Sequence, residues 1–183
     1  MSLRFTPGQF MKGAANISLP NGDWCLAAMV YIYDHSGTDR NTFMSAGANV
    51  DASGEISFGT LRLQDYGSTP GSPHFRAHDG SSLVQLRSTT IAFPTNVWAI
   101  QVAQRTGTTK QLWVITLGGS AQLIGSSTQT FGAVTPSTPM MVGRRYCRQL
   151  TLDDMKGTIA WVARGSFALS SAQMAALAAG ECA

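Results

Sequence analysis

Apolar residues in this chain recur mostly at every second position, which is the period of a β-strand. The longest such run covers residues 24–33. Trp24, Leu26, Ala28, Val30 and Ile32 fall on one face of it, and Cys25, Ala27, Met29, Tyr31 and Tyr33 on the other. Both faces are largely apolar, so this strand is expected inside a sheet with cover on each side. Further strands are predicted at 16–19, 42–46 and 55–64, the last interrupted by Gly59, where the register of Ile56 and Phe58 gives way to that of Leu61 and Leu63. Residues 74–77 and 83–86 flank Asp79-Gly80, and 97–104 and 111–117 flank Thr106-Gly107-Thr108, two hairpin signals. Strands at 121–124, 140–143 and 158–164 bring the set to roughly ten to twelve. Residues 34–41 and 67–73 read as polar loops. One short helix is expected after Ser170-Ser171, with Met174 and Leu177 on one face and Gly180 as its stop.

No linker divides the 183 residues, so a single domain over 1–183 is expected, with 1–15 suited to an assembly arm. Charged residues are 13% of the chain, about half the usual ~25%, while serine and threonine number 18 each and glycine 19. This is the mixture of a turn-rich β protein with a weakly charged surface. The longest apolar stretches, such as 25–32, fall far short of the ~20 residues of a membrane-spanning helix, so no membrane insertion is expected. Met1 to Phe5 is followed by Pro7-Gly8 instead of an apolar core, so no secretory signal is read. A net charge of +3 is too small for a nucleic-acid surface. Cys25, Cys147 and Cys182 lack metal-site spacing, which favours synthesis in a reducing cytoplasm. The chain has two glutamates, Glu55 and Glu181, and no tight acidic cluster for paired-carboxylate glycoside hydrolysis.

Three stretches resemble the concanavalin A-like lectin/glucanase jelly roll in its laminin-G-like branch. They are Asp23-Trp24-Cys25-Leu26-Ala27-Ala28-Met29-Val30-Tyr31, then Thr95 to Ala103 with Gln111-Leu112-Trp113-Val114, and finally Met140 to Gly143 with Met155 to Val162 and Leu169 to Met174. The likeness spans about residues 16–180. It implies an all-β fold, an antiparallel two-sheet jelly-roll β-sandwich with one short C-terminal helix, and often an adhesive or glycan-binding role. Trp98 and Trp161 are expected to fill the space between sheets stacked ~10 Å apart. The glutamate pair of the glucanase branch is absent, so no enzyme is expected. Calcium in laminin-G-like domains is held by loop oxygens. Asp51, Asp65, Asp153 and Asp154 are candidates, but too scattered to assign a metal or any other cofactor.

Polar and aromatic loop residues are the candidate glycan ligands: Asp34, His35, Asp39, Arg40, Asn41 and Tyr66. Tyr31, Tyr33 and Phe75 are weaker platform candidates, since core packing explains Tyr31 and Phe75 more cheaply. His74 and His78 share a strand face ~13 Å apart, too far for one metal, and read as ordinary exposed histidines. Arg144, Arg145 and Arg148 form the one dense basic group, suited to carboxylates of a partner. With Phe5 and Phe10 they are the candidate partner contacts. No serine elbow or phosphate loop is present.

These features point to a non-catalytic, lectin-like attachment module. The expected setting is a bacteriophage virion, as a capsid decoration or tail-adsorption component made in the host cytoplasm and displayed on the virion surface. Its partners would be other virion proteins, copies of itself and surface glycans. The alternative is a free-standing carbohydrate-binding module of a bacterial surface or secreted system.

Overall fold

The alternation of apolar and polar side chains builds two antiparallel sheets that share one apolar interior. A computed structural model describes residues 3–5, 11–13, 18–35, 40–51, 54–66, 69–79, 81–133, 139–143 and 157–181. Its strands are β1 (Leu3–Phe5), β2 (Met11–Lys12), β3 (Trp24–Ile32), β4 (Arg40–Asp51), β5 (Gly54–Tyr66) and β6 (Thr69–His78). They continue as β7 (Leu83–Arg87), β8 (Trp98–Thr106), β9 (Thr109–Thr116), β10 (Ala121–Ser127), β11 (Met141–Val142) and β12 (Gly157–Gly165). One helix, α1 (Ser171–Ala178), follows. The first sheet has the order β1-β12-β3-β8-β9-β10 and the second β2-β11-β4-β5-β6-β7. The segment expected as an assembly arm thus contributes one edge strand to each sheet.

β3 lies inside the first sheet and is covered on both faces, as its two apolar sets predict. Trp24, Leu26, Ala28, Val30 and Ile32 point inward and meet Phe43, Met44, Leu61, Leu63, Phe75, Val84 and Leu86 of the second sheet. Outward, Ala27 joins Ile100, Val102 and Ile115 beneath Met174 and Ala178 of α1. The helix starts in a capping box: Ser170 Oγ accepts from Gln173 N–H, and Gln173 Oε1 accepts from Ser170 N–H at 2.9 Å. It ends at Gly180, whose φ of 80° suits glycine.

Two expectations about tryptophan are corrected. The ring between the sheets is Trp24, fully buried and 5.6 Å from Phe75. Trp98 alternates with inward-facing Ala99, so it faces outward and packs edge-on against Tyr31. Trp161 follows a register shift between Ile159 and Trp161 that turns it outward to pack with the cluster beneath α1.

The loop expected at 67–73 is also corrected, because β6 begins at Thr69 and carries Pro70 and Pro73. Ser88 N–H donates to Pro73 O, so the proline nitrogen faces the same neighbour and cannot return the bond. Ser72 Oγ donates to Ser88 O instead, replacing the missing amide. Likewise β4 starts at Arg40, so Arg40 and Asn41 belong to a strand and not to the loop expected at 34–41.

The β6–β7 hairpin is held by Asp79. Its Oδ1 accepts from Ser81 N–H at 2.8 Å and Ser82 N–H at 2.6 Å, and Oδ2 from Gly132 N–H at 2.6 Å. Burial alone pushes its pKa up, but these three donors and the nearby His78 outweigh that and hold it below the ordinary carboxylate value. A depressed folded-state pKa gives stability that is complete above the unfolded value and fades as pH falls through the folded one. Asp79→Asn is therefore expected to cost about 1–2 kcal/mol at pH 7. Urea unfolding as a function of pH should show the two proteins converging as the pH falls below the ordinary aspartate range.

At the opposite end of β8, Arg105 and Lys110 are cross-strand partners that both point inward and are nearly buried. Arg105 donates to Gly107 O, Asn21 Oδ1 and Phe131 O, and Lys110 to Thr108 O and Gln129 O. The two cations tie the β8–β9 turn to residues 129–131. Burial first, and the Arg105 charge second, lower the Lys110 pKa.

Candidate functional site

Leu61, Leu63, Phe75, Ala77, Val84 and Leu86 face the interior, so the residues between them on β5, β6 and β7 face outward. Register aligns these outward positions into rows across the second sheet. One row is Thr42, Arg62, His74 and Arg87, and the next is Ser45, Thr60, Arg76 and Gln85. A third pairs Gln64 with Ser72, and Arg40 lies opposite Gln64 in the register of β4 and β5. None of these positions carries an aspartate or glutamate. Arg62, Arg76, Arg87 and His74 therefore share a face with hydroxyls and amides, and Arg40 joins its register.

The middle of this face is dry. Arg62 is 2% exposed and His74 0%, whereas Arg87 and Gln85 are exposed and Arg76 and His78 are half-buried. Arg62 Nε donates to His74 Nδ1 at 3.0 Å. A guanidinium only donates, so Nδ1 carries no proton and the ring proton sits on Nε2. Gln64 is 3.2 Å from the same Nδ1 through the atom assigned as Oε1. Two acceptors cannot share that contact, so the Gln64 amide is better turned to present its NH₂. Thr42 and Thr60 hydroxyls flank Arg62, fully buried and without a hydrogen-bond partner among the described residues. This cluster is closed to solvent, and the face opens at its edge, where Arg87 and Gln85 are exposed and Arg76 and Gln64 half-buried.

The residues predicted from sequence fall in several places. Asp34 is exposed just past β3. His35 is half-buried; its Nε2 lies 2.7 Å from Phe93 O and its ring covers Gly71. A Cβ on Gly71 would lie 2.1 Å from His35 Nδ1, and its φ of 62° also requires glycine. Asn41 is buried opposite Leu63, so it does not face solvent as a loop residue would. Arg40 enters the register of the polar face, and Tyr66 ends β5 opposite Thr69. Phe5 pairs with Gly157 in the first sheet. Asp39, Phe10, Arg144, Arg145 and Arg148 lie outside the described residues.

Arg62, His74, Arg76 and Arg87 were not among the sequence candidates, and His74 is buried instead of exposed as expected. Their signal was the polar partners of the alternation, Arg62 and Gln64 between leucines and His74 and Arg76 around Phe75. Among the described residues there is no group of three or more His, Cys, Asp or Glu side chains placed to hold a metal. Elsewhere, two grooves of about 500 Å³ flank α1, one along Trp113 and the other along Trp161 and Phe167. Tyr31, Tyr33 and Trp98 form an outward aromatic group on the first sheet, with Tyr33 Oη 3.0 Å from Thr158 Oγ1. Phe75 is excluded from any such platform by its place in the core.

No family model matches this chain, and no curated protein matches it in sequence. Its fold is similar to that of solved structures. The CBM40 of the Ruminococcus gnavus IT-sialidase, bound to α2,3-sialyllactose, aligns with a TM-score of 0.64 at 9% identity, covering 97% of this chain and 98% of that one. The LG1-3 region of the laminin α2 chain gives 0.62 at 11%, over 92% and 32%. The enzymatically active domain of tailspike protein 2 from bacteriophage CBA120 gives 0.60 at 13%, over 97% and 27%. The chain thus spans about a third or less of the laminin and tailspike chains. These likenesses establish the fold, an antiparallel jelly-roll β-sandwich, as the sequence resemblance implied.

Proposed function

We propose that this chain is a single-domain, non-catalytic attachment module that binds an anionic glycan on the outer face of its second sheet. The observation that carries this reading is the row of Thr42, Arg62, His74 and Arg87, none of them acidic. It is held at its centre by the buried Arg62–His74 contact and opens to solvent at Arg87, with Arg76 and Gln85 in the next row. A guanidinium such as that of Arg87 favours a carboxylate over a neutral sugar hydroxyl. The amides of Gln85 and Gln64 on the same face supply the directional bonds that a sugar acid accepts. Among the described residues the face carries no pair of carboxylates for general acid and base, which supports binding without bond cleavage. A fold shared with a sialyllactose-bound module supports the ligand class.

In its finer form the proposal places the module on a bacteriophage virion, made in the host cytoplasm and displayed at the particle surface. Its fold likeness to a tailspike domain supports that setting. Phe5, Phe10, Arg144, Arg145 and Arg148 are the residues proposed to dock it onto its assembly. The second reading is a free-standing carbohydrate-binding module, whose carbohydrate-binding part is supported by the fold likeness to the CBM40.

Isothermal titration with α2,3-sialyllactose and with lactose tests the binding claim. Binding of the sialylated sugar alone, weakening as salt rises from 50 to 500 mM, is expected. Equal binding of both sugars, or of neither, would sink it. Sedimentation with particles separates the two settings.

A further inference from the structure

We propose that Gln101 is a positioning residue for the glycan face, acting through the sheet from the opposite side; this rests on the binding reading above. Gln101 lies on β8 between Ala99 and Ala103, with all three side chains directed into the interior. The two alanines leave room for a long side chain to cross the gap between the sheets. Gln101 Nε2 donates to His74 O at 3.0 Å and approaches Arg62 O at 3.4 Å. These carbonyls belong to the two residues whose side chains meet on the far face, and the two are direct cross-strand partners. An amide nitrogen carries two hydrogens, so it serves both carbonyls and fixes β5 and β6 relative to each other at that point.

The choice of residue is costly for a purely structural role. Gln101 is fully buried and its Oε1 has no partner among the described residues. A leucine or methionine in this slot would avoid leaving a buried acceptor unsatisfied. A retained buried amide, aimed at the backbone of the two central residues of the face, points to geometry as what it secures.

Gln101→Met and Gln101→Leu test this, with the wild type as reference and three readouts. Thermal unfolding is expected to change little or to rise. The ¹⁵N shifts of the His74 ring are expected to move away from a settled Nε2–H tautomer as the Arg62 bond loosens. Affinity for α2,3-sialyllactose is expected to fall roughly tenfold. Folded variants with unchanged His74 resonances and unchanged affinity would overturn the proposal. Should the wild type bind no sialylated sugar, the binding reading fails by itself. The His74 spectrum still decides whether Gln101 sets the geometry of the pair.

Discussion

Trp24→Ala is expected to lower the stability of this protein by about 3–5 kcal/mol, measured by urea unfolding. The ring is fully buried between the sheets and packs on Phe75, and its removal leaves a cavity among side chains from both sheets. The indole N–H makes no hydrogen bond among the described residues. Trp24→Phe removes that unsatisfied donor while keeping most of the ring, so its cost is expected to stay within about 1 kcal/mol. Trp98→Ala and Trp161→Ala truncate half-buried rings on the outer side of the first sheet and should cost about 1–2 kcal/mol each. Equal losses at all three positions would contradict the assignment of Trp24 as the inter-sheet ring.

The second large effect belongs to Arg62. Arg62→Met keeps an apolar stem of similar length and removes the guanidinium. Affinity for a sialylated sugar is expected to fall about tenfold, since the buried contact with His74 that holds the centre of the face is lost. Arg62→Lys should recover little of it, because an ammonium cannot reproduce the planar guanidinium's contact with His74. Arg87→Ala, at the exposed end of the same row, should weaken binding less than about fivefold and reduce its salt dependence. A stable Arg62→Met protein with wild-type affinity would remove the basis of the functional reading.

Much of the fold was legible because alternation reports strands directly. The two apolar faces of β3, the hairpins at Asp79-Gly80 and Thr106-Gly107-Thr108, and the capped helix all appear where the sequence places them. What alternation does not report is which of two covered faces a side chain takes. Trp98 and Trp161 are apolar under either assignment, and the register shift after Ile159 changes phase without a glycine or proline to mark it. The strand start at Thr69 was hidden for the opposite reason. Glycine, serine and proline there look like a loop, and only the Ser72 bond to Ser88 makes Pro73 acceptable in a ladder.

The candidate site was harder to read for a related physical cause. His74 and Arg62 are twelve residues apart, and their contact exists only through the register of β5 with β6. Register follows from loop lengths and bulges, and the shift between Gln64 and Tyr66 lies in the connection that sets it. A polar residue alternating with leucines reads as solvent-facing, so the burial of His74 and Arg62 leaves no local trace. By contrast, residues chosen from loop composition, such as Asn41, proved to depend on a strand that begins earlier than its apolar pattern suggests.

The most direct measurement is a two-dimensional NMR titration of the isotope-labelled protein with α2,3-sialyllactose, followed at backbone amides and at arginine and histidine side chains. Shifts concentrated on Thr42, Thr60, Arg62, His74 and Arg76, with Tyr31, Tyr33, Trp113 and Trp161 unmoved, are the predicted result. Shifts confined to the aromatic side of the first sheet, or none at saturating sugar, would contradict the account.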